Sequence, residues 1–140
     1  MNSLRILAVD YGHKRIGLAL SDETGTLARP LVVIAHVSRI VNAATVAERA
    51  AAHNVAKIII GVSYDEDGQL NTSGHSSARF AEALRLQTDL PVLLWDETLT
   101  TQDARIARMA AGAIRRKRSG HLDDVAAAIL LQDYLDSQTK

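Results

Sequence analysis

Three carboxylates stand where the pattern of the chain changes: Asp10, Glu97 and Asp123. Asp10 follows Leu4–Val9, an apolar run broken only by Arg5. Glu97 follows Pro91–Trp95 and Asp96, and Asp123 opens an apolar stretch with Asp124 as its neighbour. Carboxylates brought to one rim repel one another unless a cation sits between them. Oxygen-only ligands suit Mg²⁺ or Mn²⁺, and the chain has no Cys to favour a softer metal. Two such ions about 4 Å apart activate water and stabilise a leaving oxygen in phosphodiester cleavage. Acids are also common at strand ends and helix starts for turn and capping reasons. Spacing alone therefore permits the convergence without compelling it.

Formal net charge is zero, from 16 basic and 16 acidic residues, so only the distribution of charge bears on nucleic acid. Arg105, Arg108, Arg115, Arg116, Lys117 and Arg118 crowd one stretch, opposed there only by Asp103. Such a patch suits phosphate. A solvated helix end whose cations complement the C-terminal dipole is the plainer alternative. Lys14 and Arg15 lie between Gly12 and Gly17, where glycine lets a turn tighten or a phosphate come close. A hairpin ion pair is their plainer role. The histidines at 13, 36, 53, 75 and 121 have no metal-like spacing, although His121 lies close to Asp123. Ser21, Ser63 and Ser73 lack a nucleophile-elbow context.

These groups need a scaffold. At 140 residues a single domain over 1–140 is expected. Leu4–Val9, Ile16–Leu20 and Leu31–Ala35 read as strands joined by short links, an antiparallel meander. Ser38 caps a predicted helix to about Ala52, with Ile40, Val41, Ala44, Val46, Ala47 and Ala51 as its apolar positions. Lys57–Ile60 is a buried strand reached by a helical crossover, which predicts parallel pairing. Val62–Gly74 reads as a long polar loop, and its acids lack the ligand spacing of an EF-hand. A helix over about 75–87, with Phe80, Ala83, Leu84 and Leu86 inward, precedes a strand at 91–95. Thr100 or Thr101 caps a helix to about Ala111, and a largely buried helix over 122–135 closes the pattern. The expected fold is α/β, a five-stranded mixed sheet flanked by helices, antiparallel in 1-2-3 and parallel in 1-4-5. Open α/β sheets place ligands at the C-terminal edges of their parallel strands. No signal peptide or membrane span is read at the N-terminus, and the lack of Cys fits a reducing cytosol, so a cytoplasmic location is expected.

Three segments carry a resemblance. Val9-Asp10-Tyr11-Gly12-His13-Lys14-Arg15-Ile16-Gly17-Leu18-Ala19-Leu20-Ser21-Asp22 resembles a D-x-G-x-K-R-I-G-x-A-x-S-D pattern. Asp96-Glu97-Thr98-Leu99-Thr100-Thr101 resembles D-E-R-x-T-T, with Thr98 in place of Arg. Leu122-Asp123-Asp124-Val125-Ala126-Ala127 resembles a closing D-x-φ-A-A. Together, in this order, they are similar to the YqgF or RuvX family of pre-16S rRNA nucleases, RNase H-like proteins related to Holliday junction resolvases. A further departure is Ser63, which stands where the family's G-φ-P has Pro.

The resemblance implies an RNase H-like fold and Asp10, Glu97 and Asp123 as the acidic metal-binding set, with Asp124 as fallback. It implies Mg²⁺ or Mn²⁺, two ions, and hydrolysis that leaves a 5′-phosphate and a 3′-hydroxyl at the 5′ end of pre-16S rRNA. Lys14 and Arg15 match family positions that could meet phosphates, and the basic 105–118 segment would hold the backbone. Three alternatives stay open. One is a resolvase acting on four-way DNA junctions, which calls for a dimer. Another is a non-catalytic RNA- or ribosome-binding factor. The last is an actin-like ATPase, which 140 residues leave no second lobe to complete.

Overall fold

In a computed structural model, residues 3–97 and 123–138 are described. Five strands form one sheet in the order β3-β2-β1-β4-β5. Strands β1 (Ile6–Tyr11), β2 (Arg15–Ser21) and β3 (Ala28–Ala35) pair antiparallel. Strand β4 (Lys57–Val62) joins β1 in parallel, and β5 (Val92–Asp96) joins β4 in parallel. This is the mixed sheet that the apolar runs and link lengths predict. Pro30 sits in the edge strand β3, opposite Ala19, beside a register shift at Leu18/Ala19. An edge tolerates a residue with no N–H to give to the ladder.

Helices α1 (Arg39–Ala52) and α2 (Thr72–Arg85) cover one face of the sheet. Helix α3 (Asp123–Gln138) covers the other. Side chains alternate along a strand, so each buried strand serves two cores. Leu7, Val9 and Tyr11 of β1 pack with Phe80 and Val46 under α1 and α2. Ile6 and Ala8 pack with Ala127, Leu130 and Tyr134 of α3. The first core is built from large side chains, the second mainly from small strand residues against α3.

Three expectations need correction. Strand β1 continues past Asp10 to Tyr11, and β4 continues past Gly61 to Val62, so both positions lie inside strands. Helix α1 keeps its Ser38 cap, whose hydroxyl accepts from the Val41 N–H at 3.2 Å, but it is rotated. Its buried positions are Asn42, Ala43, Val46 and Ala50, while Ile40 and Val41 face outward. The cause is Asn42. Its Oδ1 accepts from the Val37 and Ser38 N–H groups at 2.8 and 3.1 Å, and its Nδ2 donates to the Ala35 carbonyl at 3.0 Å. A buried amide whose oxygen and nitrogen are both hydrogen-bonded outweighs two aliphatic side chains left in water. Helix α2 begins at Thr72, inside the expected loop, because the Asn71 side chain accepts from the Gly74 N–H at 2.7 Å. Leu86 lies beyond its end and is exposed, not inward.

Helix α3 is pinned at its C-terminal half. Gln132 accepts from the Ala28 N–H at 2.9 Å and donates to the Thr26 carbonyl at 3.0 Å. The Lys57 ammonium donates to the Tyr134 hydroxyl at 2.6 Å. These contacts hold its last turns at the entry end of β3 and β4. The helix therefore climbs with its first turn toward the exit end of β1, β4 and β5. Among the described residues no helix is long and apolar enough to cross a membrane.

Candidate metal and nucleic-acid site

Asp10 shares its face of β1 with Ile6 and Ala8, the face covered by α3. It is flanked by glycine on both sides. Gly17 of β2 is its register partner. On the other side Val9 pairs with Ile60, which brings Gly61 of β4 alongside. Gly61 in turn pairs with Trp95 of β5, and Glu97 follows directly after that strand.

The geometry at Gly61 explains the missing side chain. A Cβ there would stand 3.1 Å from Glu97 Oε2 and 2.9 Å from Leu130 Cδ2. The Glu97 carboxylate thus reaches back across β4, under the edge of α3. One strand spacing, ~4.8 Å, then separates β4 from the strand that carries Asp10. Two of the three expected carboxylates therefore lie toward one face of the sheet, at the C-terminal rim of its parallel strands. Asp123 begins α3 seven residues before Leu130, about 10 Å of helix, at the same end of the sheet. The side chains of Asp123 and Asp124 lie outside the described residues. Among the described residues no group of three possible metal ligands stands together. Asp10 and Glu97 supply oxygen donors only, the kind a hard divalent cation takes.

Behind Asp10, on the opposite face, an aromatic ladder holds the strand end. Tyr11 stacks on Phe80 with ring centroids 4.2 Å apart. Its hydroxyl meets His36 Nε2 at 3.3 Å, and His36 Nδ1 meets the Gly12 carbonyl at 2.7 Å. A carbonyl only accepts, so Nδ1 carries the proton and, in the neutral ring, Nε2 accepts from Tyr11. The His36 backbone N–H also donates to the Lys14 carbonyl at 2.9 Å. Burial pushes the Tyr11 phenol up, against the nearby positive charge of Arg39. Gly12 is required by the turn itself, because a Cβ would run into the Arg15 carbonyl. The turn presents Lys14 and Arg15 exposed at the rim of Asp10. The cations Arg105, Arg108, Arg115, Arg116, Lys117 and Arg118, together with Thr98 and His121, lie outside the described residues.

Several motif residues prove structural. Ser21 is buried, accepts from the Ile6 N–H at 2.8 Å and donates to the Asp22 carbonyl. Ser63 donates to Asn71 Oδ1 at 2.8 Å, so the hydroxyl at this departure from the family pattern ties the β4 exit to the cap of α2. Trp95 packs edge-on against Tyr134 with ring centroids 5.0 Å apart, partly buried in the α3 core. A cavity of about 610 Å³ lies at the opposite end of the sheet, beside Arg5, Glu23 and His53, away from Asp10, Lys14, Arg15 and Glu97. Sequence reasoning missed Gly61 and the Tyr11–His36 pair. A lone glycine between β-branched residues was the available signal for the first, since it often marks a close approach.

The family model described as "RuvX: Holliday junction resolvase" matches residues 4–137. The chain belongs to the RuvX family. A relative from Syntrophus aciditrophicus, named "Putative pre-16S rRNA nuclease", is 40% identical over 134 residues, 96% of this chain and 89% of its own. A Bacillus subtilis relative of the same name is 36% identical over 136 residues, 96% of this chain and 99% of its own. Among solved structures, Thermus thermophilus RuvC in complex with a Holliday junction substrate superposes with a TM-score of 0.63 at 14% identity, over 97% and 96% of the two chains. The fowlpox virus resolvase with its junction DNA gives 0.62 at 16% identity, over 97% and 99%. At these identities the two resolvases share the fold, which is RNase H-like as the RuvX resemblance implied.

Proposed function

We propose that this protein is a divalent-metal-dependent endonuclease that hydrolyses phosphodiester bonds at the 5′ end of pre-16S rRNA. The observation that carries the reading is the pair Asp10 and Glu97, brought to one face over the bare backbone of Gly61. The name shared by the RuvX relatives supplies the substrate. In this reading Asp10 and Glu97 hold the cations and Asp123 completes the set, with Asp124 as the substitute. Two Mg²⁺ or Mn²⁺ ions held there would supply an activated water and charge stabilisation for the leaving oxygen. Lys14 and Arg15 steady the phosphates beside the cut, and the basic 105–118 segment carries the flanking backbone.

The test is a cleavage assay with purified wild type and Asp10→Asn in Mg²⁺ or Mn²⁺. A pre-16S 5′-leader RNA and a four-way DNA junction are offered in parallel. RNA cutting that requires the metal and vanishes in Asp10→Asn is the expected result. Symmetric cutting of the junction alone would assign the protein to junction resolution. Equal RNA binding by both proteins with no cutting of either substrate would make it a binding factor and end the catalytic reading.

A further inference from the structure

The rotation of α1 leaves an apolar surface where the sequence pattern predicts a core. Val37, Ile40 and Val41 are 67%, 71% and 49% exposed, three aliphatic side chains within two turns of chain. Single exposed aliphatics are ordinary, but a cluster on the rim of a site marks a contact surface. Asn42 fixes this surface through its bonds to Val37, Ser38 and Ala35. The His36 N–H bond to the Lys14 carbonyl and the His36 Nδ1 bond to the Gly12 carbonyl join it to the turn that follows Asp10.

The charge of the two segments that form this surface has one sign. From Tyr11 to Arg15 and from His36 to Ala47 the chain has no acid, and it presents Lys14, Arg15 and Arg39. No acidic residue occupies the first turn of α1, so the positive end of the helix dipole adds to the cations. The Arg39 charge acts on the Tyr11 phenol, which puts it at the strand end that carries Asp10, on the opposite face of the sheet.

A polyanion with apolar faces complements such a surface. Phosphates meet the cations, while bases or sugars lie on the aliphatic side chains. Base faces are free for this only where the strand is unpaired, since in a duplex they are stacked on one another. We propose that the first turn of α1 and the Gly12–Arg15 turn form a shelf for an unpaired nucleic-acid strand, Arg39 gripping phosphate and Val37, Ile40 and Val41 carrying the bases. The shelf rests on the nuclease reading and narrows its substrate to a single-stranded segment leading into the site.

The test uses fluorescence anisotropy on the full chain, with a fluorescein-labelled single-stranded RNA and the same sequence fully paired. Binding is measured in EDTA, so that no cleavage intrudes. Ile40→Ser combined with Val41→Ser should weaken single-strand binding about tenfold, less than fully burying two aliphatic side chains contributes, and leave duplex binding unchanged. Arg39→Ala should weaken binding as well and lower the salt slope by about 0.7, one phosphate contact on a single strand. The aliphatic pair should leave that slope unchanged. Equal loss for single strand and duplex, or no loss for either variant, overturns the shelf. So does a dimer that becomes a monomer in the Ile40/Val41 variant with RNA affinity intact, since the patch would then be a protein interface. The nuclease reading fails separately: wild type that cuts leader RNA while both variants bind normally defeats only the shelf, whereas wild type that neither binds nor cuts RNA defeats both.

Discussion

The two faces of the sheet are made from the same strands and do opposite work. Under α1 and α2 the strands present Leu7, Val9, Ile16, Leu18, Leu20, Ile58 and Ile60, closed over by Phe80 and Leu84. Under α3 the alternate positions are Ile6, Ala8, Ala19, Ser21, Gly17, Ile59 and Gly61, mostly small, with Asp10 in their midst. Large side chains fill the first layer to the density that stabilises a fold. Small ones in the second let α3 come close and leave room at the rim for carboxylates to approach one another. One face holds the molecule together, and the other gives up packing where the proposed site lies.

Substitutions on the two faces sharpen this contrast. The largest effect is expected on the packed face. Phe80→Ala removes the ring beneath Tyr11 and empties the middle of that core, at a cost of about 3–5 kcal/mol. Chemical denaturation should show the loss as a lower midpoint. Because Tyr11 stacks on Phe80, activity should fall too, but only in step with the unfolded fraction. On the other face Gly61→Ala should invert the balance. Its new methyl stands 2.9 Å from Leu130 and 3.1 Å from Glu97, and overpacking of this kind costs about 1–3 kcal/mol. Displacing Glu97 should lower Mn²⁺ affinity about 10–100-fold, the range seen when the support of a metal ligand is lost. Mn²⁺ titration followed by electron paramagnetic resonance measures it. A variant that loses stability but binds Mn²⁺ as wild type does would remove Gly61 from the site and erase the distinction between the faces.

The same contrast explains what could be read from the sequence. Strand order and pairing sense were legible, because continuous apolar runs and link lengths constrain them locally. Asp10 was legible as an acid at a sheet rim for the same reason. The orientation of α1 was not. Periodicity assigns Ile40 and Val41 to the core, and only the folded partners of Asn42, the N–H groups of Val37 and Ser38 and the Ala35 carbonyl, turn the helix away. The start of α2 was hidden likewise, since Thr72, Ser73 and Gly74 are poor helix formers until Asn71 caps them. Gly61 looked like the exit of a strand. It is interior, and its reason for being glycine is a carboxylate arriving from a different strand, a contact with no trace in the local pattern.

The smallest effect belongs to the turn that anchors the α3 face. Asp22 Oδ1 accepts from the Thr26 and Leu27 N–H groups at 2.8 and 3.1 Å, and Oδ2 accepts from the Thr24 hydroxyl at 2.7 Å. These bonds favour the ionised form and hold the carboxyl at about 2, below its ordinary 3.8, with the Thr26 N–H the largest cause. Gln132 of α3 docks on the Thr26 carbonyl of the same turn, so the turn and the helix share a support. A folded-state value below the unfolded one means that the ionised carboxylate stabilises the protein above the unfolded value and stops doing so as pH falls through the folded one. Asp22→Ala should therefore lower the melting temperature by a few degrees near neutral pH. The gap from wild type should narrow as pH drops below about 4 and close near about 2. Calorimetric melts of both proteins across that range measure it. A gap that stays constant with pH would show that the loss comes from the turn's shape and not from the charge that its N–H groups hold.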